Sequence, residues 1–394
     1  MATYETNAIQ AGIGNTTVSN QWWSRPDDQK FLTLASMKAS KVNDASRLSS
    51  RVVDTHRLEV LSVEDEANPT RGGLSVRYEG TDAENVPTHW STGQLAGLAG
   101  APAGYLRDLP APLAADCLNW GMRYNRGRES IKVYGSQDDG GELRAATGPD
   151  YGRIFDHEII DPVMRLVEQS GGRWKVPGMM TSYNNGMAVY DPEVPVSLDT
   201  TTLFASDRDV FIFLVDDRNP IEVGRLPNGN PDLLFRGFYT WNSEVGQKTA
   251  GIAAMYLRGV CMNRCLWGVE NFSEIKIRHT KFAPDRFAQE ARPALQSFAS
   301  GNTQSLREGV AKAKEAVVAR DDEARMEFLT KRAGLSRTMA KAATARHLQE
   351  EERPIENVWD AAQGITAIAR DVPHQDTRVI LERKAGALLD KVAA

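Results

Sequence analysis

Two runs of alternating apolar and polar residues, Leu58-Glu59-Val60-Leu61-Ser62-Val63 and Gly73-Leu74-Ser75-Val76-Arg77-Tyr78, flank a polar stretch that contains a proline. Period-two alternation puts one face of a strand in a core, so the pair predicts a hairpin. The same reasoning predicts strands at Ile131–Tyr134, Leu143–Thr147, Val210–Val215 and Leu233–Tyr239, with turns at Asp216–Pro220 and Pro227–Pro231. Small and apolar residues at Pro87–Ala96 and Tyr105–Pro110 suit short packed helices. Asp161-Pro162 has the form of an N-cap and first helical residue, predicting a helix to about Ser170. Thr249–Cys261 carries a helical stripe through Ile252, Met255, Tyr256, Gly259 and Val260, which favours a helix there, a buried strand being the alternative.

After about Pro284 the pattern changes. Ala, Glu, Lys, Arg and Gln dominate, Glu308/Lys312 and Glu327/Lys331 stand four residues apart, and helices are expected throughout. Glu350-Glu351-Glu352-Arg353-Pro354 should break the helical run and Val358–Ala369 should restart it with an apolar face. Residues 1 to about 50 are polar, interrupted by Trp22-Trp23, and read as an arm whose tryptophans anchor it to the core. The expected organisation is an extended N-terminal arm at 1–50, an α+β core at 51–284 and a helical C-terminal region at 285–394. The expected fold class is α+β, a mixed or antiparallel sheet core with packed helices and a C-terminal helical region.

With 394 residues, 41% of them hydrophobic, the chain can bury a sizeable core. No run approaches the length of a membrane span and Met1 is soon followed by polar residues, so neither signal peptide nor membrane anchor is expected. Three cysteines, Cys117, Cys261 and Cys265, suit a reducing compartment, and the expected address is the host-cell cytoplasm. The net charge of −5 gives no general support for a nucleic-acid partner, so any such role must rest on local clusters.

No Gly-x-Ser-x-Gly elbow, Walker loop or strand-linked Gly-x-Gly-x-x-Gly occurs, and no cofactor is expected. Cys261 and Cys265 lack further ligands at zinc spacing, His279 has no second histidine nearby, and reduced, metal-free cysteines are expected. Asp207, Asp209, Asp216 and Asp217 bracket one apolar strand and read as turn acids more readily than as a magnesium site. His89, beside Trp90, reads as a packing residue.

Two basic and aromatic clusters remain. Residues 120–135 hold Arg123, Arg126, Arg128 and Lys132 against Glu129, a local charge of +3, with Tyr124 and Tyr134 interleaved. Residues 236–281 hold Arg236, Lys248, Arg258, Arg264, Lys276, Arg278 and Lys281 against Glu244, Glu270 and Glu274, a local charge of +4. Ordinary solvated sheet faces would carry the same residues. The tail from Asp285 is balanced, 18 Lys plus Arg against 17 Asp plus Glu, and suits self-association into a homo-oligomer.

Gly237-Phe238-Tyr239-Thr240-Trp241-Asn242-Ser243-Glu244-Val245-Gly246, Arg258-Gly259-Val260-Cys261-Met262-Asn263 and Ile277-Arg278-His279 together resemble the phage/plasmid-like family of the domain of unknown function nine hundred thirty-two. Leu143-Arg144-Ala145, Tyr151-Gly152-Arg153-Ile154 and Val358-Trp359-Asp360 extend the resemblance over roughly residues 85 to 390. The family's Cys-Thr-Asn-Gly turn reads here Cys261-Met262-Asn263-Arg264, so no role of that glycine carries over. The resemblance implies a phage or plasmid protein without an agreed activity, with more distant kinship to ring-forming single-strand-annealing recombination proteins.

These readings combine into an expected single-stranded-DNA-binding, strand-annealing protein without catalysis. Arg123, Arg126, Arg128, Lys132, Arg236, Lys248, Arg264 and Arg278 would contact phosphates, Tyr124, Tyr134 and Trp241 would stack on bases, and Asn242 would add a polar contact. The alternatives are a nucleic-acid-processing enzyme using Glu244 and His279 as acid and base, and a factor that binds host proteins through its acidic surface.

Overall fold

The computed structural model describes residues 25–79, 83–124, 128–182, 188–225, 231–258, 264–265, 274–300, 303–372 and 375–393. The strands are β1 (Lys30–Phe31), β2 (Leu48–Asp54), β3 (Glu59–Val63), β4 (Gly73–Arg77), β5 (Val86–Pro87), β6 (Ser130–Ser136), β7 (Glu142–Thr147), β8 (Met179–Ser182), β9 (Ala188–Asp191), β10 (Leu203–Ala205), β11 (Val210–Arg225), β12 (Pro231–Asn242), β13 (Ala250–Arg258), β14 (Arg264–Cys265) and β15 (Glu274–Ile277). The helices are α1 (Leu34–Arg47), α2 (His89–Ala99), α3 (Ala103–Asp108), α4 (Ala111–Tyr124), α5 (Asp156–Gln169), α6 (Ala283–Ser300), α7 (Gln304–Glu315), α8 (Asp322–Glu327), α9 (Arg337–Glu351), α10 (Val358–Arg370) and α11 (Gln375–Ala393). The fold is α+β: an antiparallel sheet β1-β10-β11-β12-β13-β14 with β15 also on β13, a mixed sheet β2-β6-β7-β5 whose β5–β7 pair is parallel, and the hairpins β3–β4 and β8–β9.

Alternation along β11 explains the layering of the large sheet. Val210, Ile212 and Leu214 face one core with Ile160, Phe287 and Phe298 of α5 and α6, while Phe211, Phe213 and Val215 face the other side with Tyr239, Trp241 and Val379 of α11. The smaller sheet and the β3–β4 hairpin share a separate core with α2, α3 and α4. There α2 and α4 cross closely, and a Cβ at Gly121 would collide with the carbonyl oxygen of Ala99. Gly121→Ala should therefore lower stability by about 1–3 kcal/mol, the usual cost of overpacking against backbone. An unchanged denaturant midpoint would show that the two helices can part at no cost.

Several expectations hold: the β3–β4 hairpin pairs Glu59 with Arg77 through Val63 with Gly73, and α10 restarts after Glu352 adopts a left-handed φ of 55°. Four are corrected. Within the expected arm, Leu34–Arg47 is a helix capped by Thr33, whose side chain accepts from Ser36 N; Trp22 and Trp23 lie outside the described residues. Ala250–Arg258 is a strand, not a helix, because both its faces are buried and small residues hide the alternation. The helix expected from Asp161 begins at Asp156, since Glu158 accepts from Phe155 N, and Pro162 lies inside it.

The fourth correction concerns the tail. Its first helix, α6, supplies Phe287, Ala291, Leu295 and Phe298 to the sheet's core, and the later helices enclose Ile221, Leu234 and Tyr256 from the far end of the sheet. Arg258, at the end of β13, pairs with Asp232 of β12 at 2.7 Å and with Glu351 of α9, while Lys314 of α7 reaches Asp232 at 3.4 Å. The tail is part of the packed body, and the apolar side of α10 is consumed inside it, every residue from Val358 to Ala369 being buried.

Candidate functional site

On one face of the large sheet the antiparallel register sets Phe211 opposite Trp241 and Phe213 opposite Tyr239. Their rings stack, with centroids 4.5 Å apart for Phe213–Tyr239 and 4.8 Å for Tyr239–Trp241. Gly251 lies across from Trp241 on β13, and a Cβ there would strike the indole, so the absent side chain is what lets the ring lie flat on the strand. The stack ends at a cleft of about 740 Å³ lined by residues from widely separated parts of the chain.

The wall opposite the sheet is the start of α2, capped by Thr88, whose side chain accepts from Ser91 N. That start presents His89 and Trp90, and the Trp90 indole and Gln94 amide both donate to Val245 O, at 3.0 and 2.8 Å, tying the helix to the β12–β13 turn. Arg107 comes from α3, Arg208 precedes β11, Lys248 sits in the β12–β13 turn, Lys276 on β15 and Arg383 on α11.

Five cationic side chains thus line the cleft, and no carboxylate is among its described lining residues. The acids that balance them sit behind or beside the wall: Asp209 takes Lys248 at 3.2 Å and also Arg25, Asp207 stands 3.6 Å from Arg208, and Glu274 pairs with Lys276 at 2.6 Å and with Arg383. Among the described residues, six cations, counting Arg25, stand beside these three acids. Burial is the first cause of the shifts at three of its members, and crowding of charge adds to it at His89. His89 is lowered by burial and then by Arg107 and Arg208, while burial lowers both arginines, Asp207 and Asp209 opposing this at Arg208. An anion entering here would relieve repulsion among groups already partly stripped of water.

Among the expected contact residues, Trp241 and Lys248 line this cleft; Trp241 shows little more than an edge, 4% exposed, with Tyr239 stacked on it and the Arg383 guanidinium 5.2 Å from its centroid. It has no open face for a base, and the half-buried Trp90 is the better stacking candidate. Three others are withdrawn into the interior. Tyr134 is 1% exposed beneath the guanidinium of Arg153, Arg236 donates to Phe298 O at 3.3 Å, and Asn242 donates to Ile154 O and to Asp156, both at 2.8 Å. Lys132 is half-buried and donates to Tyr151 O at 2.7 Å. Arg123 and Tyr124 are exposed on α4, and Arg128 and Arg278 are exposed elsewhere, none of them lining the cleft. Arg126 lies outside the described residues, and Arg264 is described only by its pairing opposite Leu257. The cleft draws Trp241, Lys248 and Lys276 from the 236–281 cluster and none of the described residues of 120–135.

Glu244 and His279 flank the segment from Tyr151 to Asp156 without facing each other as acid and base. The buried Glu244 carboxylate accepts from Asp156 N at 2.7 Å, whereas His279 stacks on Tyr151 and its Nδ1 donates to Gly152 O at 3.0 Å. Burial pushes His279 down to about 4, against the Gly152 hydrogen bond, so it is neutral at pH 7. Neither lines the cleft. No group of three or more His, Cys, Asp or Glu placed to hold a metal occurs among the described residues; Cys261 lies outside them, as does the side chain of Cys265. No described helix is long and apolar enough to cross a membrane.

His89, Trp90, Arg107, Arg208, Lys276 and Arg383 are among the cleft residues that sequence reasoning did not assign to a ligand. Their only advance signal was that the 236–281 cluster contained Lys276. Comparison with family models, curated proteins and solved structures yields no match.

Proposed function

We propose that the chain binds single-stranded DNA through this cleft. The observation that carries the reading is a cavity whose described lining holds five cationic side chains and no carboxylate, with an indole in its wall. Phosphates meet Arg107, Lys276 and Arg383, and a base stacks on Trp90, the composition that sequence-tolerant single-strand binding requires. Strand annealing, in the mobile-element setting that the family resemblance implies, is the activity such binding would serve.

The test is a salt titration of a labelled single-stranded oligonucleotide by fluorescence anisotropy. Lys276 and Arg383 are 49% and 36% exposed at their side chains, so their joint replacement by alanine leaves the buried framework in place. Each lost phosphate contact should flatten the slope of log K against log salt by about 0.7, and the pair by about 1.4. Trp90→Ala should weaken binding by roughly 1–3 kcal/mol with the slope kept, since stacking releases no counterions. Absence of binding at low salt, or an unchanged slope in the double variant, overturns the proposal.

A further inference from the structure

The apolar side of α4 is only partly used by the fold. Ala111, Ala114, Ala115, Leu118 and Met122 are buried, whereas Leu113, Trp120 and Tyr124 are exposed at 50%, 68% and 61%, with Cys117 half-buried between them. The spacing 113, 117, 120, 124 is the alternating four-and-three step of a helix seam that packs on another helix. The two rings are already ordered against each other, with centroids 4.3 Å apart. At 60–70% exposure, two aromatic side chains present about 200–300 Å² of apolar surface, and with Leu113 the patch reaches the size that marks an interaction site.

The charges beside the seam say what covers it. With 3.6 residues per turn, Asp116 and Arg123 both fall about 60–80° to the same side of the stripe. Residues on one flank meet the opposite flank in a parallel helix pair but their own flank in an antiparallel one. When two copies of α4 lie antiparallel with Cys117 of each beside Trp120 of the other, Asp116 and the second copy's Arg123 come within about 3 Å along the axis, at 1.5 Å per residue. The twofold makes this ion pair twice. The stripe's other flank, Ala114 and Gly121, is buried in its own subunit. A nucleic-acid strand fits less well, because Asp116 would stand beside its phosphates.

We propose that α4 is a self-association face on which two copies of this chain pair antiparallel about a twofold axis near Leu118, with Leu113, Trp120 and Tyr124 as the seam and Asp116–Arg123 as its reciprocal lock. It does not depend on the cleft. Self-association expected of the tail moves to α4 because most of the tail's apolar residues are already buried against one another and against the sheet.

Light scattering of the full chain across micromolar concentrations should give twice 43.5 kDa. Trp120→Asp should give the monomer mass with an unchanged circular-dichroism spectrum. Asp116→Arg should raise the dimer dissociation constant at least tenfold, and Asp116→Arg with Arg123→Asp should return it to within about threefold of the original. A monomeric wild type, a dimer indifferent to Trp120→Asp, or a double exchange that fails to restore the dimer overturns the proposal. So does loss of single-strand binding in Trp120→Asp at unchanged mass, which would make the stripe a nucleic-acid surface. Lys276→Ala with Arg383→Ala should change DNA binding but not mass, which separates failure of the cleft from failure of this interface.

Discussion

Arg258→Ala is expected to destabilise the whole chain by about 3–5 kcal/mol, the usual cost of breaking a buried ion pair by removing one partner. Arg258 is 3% exposed, donates to both carboxylate oxygens of Asp232 at 2.7 and 3.2 Å, bonds to Glu351, and lies 6.0 Å from the centroid of Trp359. Alanine would leave Asp232 buried with Lys314 as its remaining cationic partner among these, and Glu351 without its arginine. Because Asp232 and Arg258 belong to the sheet while Lys314, Glu351 and Trp359 belong to the C-terminal helices, the loss should appear in one cooperative transition. Urea unfolding followed by tryptophan fluorescence and by far-ultraviolet circular dichroism measures it. A change below about 1 kcal/mol, or helices that unfold separately at an unchanged midpoint, would show that the network does not join the two parts.

Asp156→Asn is expected to do the opposite and to raise stability at neutral and alkaline pH. Burial raises the Asp156 carboxyl well above its ordinary value, the neighbouring Glu244 charge adds to this, and Lys41 and the Asn242 amide only partly oppose it. The folded state therefore holds a proton that the unfolded state has already released. Stability falls as pH rises from the ordinary carboxylate range to the raised folded value, by about 1.4 kcal/mol for each unit of separation, and is level above it. Asparagine removes that slope while its side-chain oxygen can still accept from Asn242. Below the ordinary carboxylate range the two proteins should be equally stable. Urea midpoints across this range decide it: a wild-type profile as flat as that of Asp156→Asn would mean that the carboxylate is ionised in the folded protein.

What the sequence determined by itself was whatever local periodicity encodes. Leu58–Val63 and Gly73–Tyr78 alternate because only one face meets a core, and they pair as that pattern requires. Val358–Ala369 carries its apolar run into a helix started by Asn357, whose side chain accepts from Asp360 N. The pattern failed where both faces are buried: Ala250–Arg258 has no polar side to alternate with, and its Gly-Ile-Ala-Ala run reads equally well as a helix. The site was less legible for a different reason. A count of arginines and tyrosines along 120–135 and 236–281 does not say which of them point outward, and Tyr134, Arg236 and Asn242 point in. The cleft gathers His89, Arg107, Arg208, Lys248, Lys276 and Arg383 from stretches that no spacing rule connects. Only the packing of α2, α3 and α11 around the end of an aromatic stack brings their charges together, because charge acts through space and sequence periodicity reports only on the nearest turn or pleat.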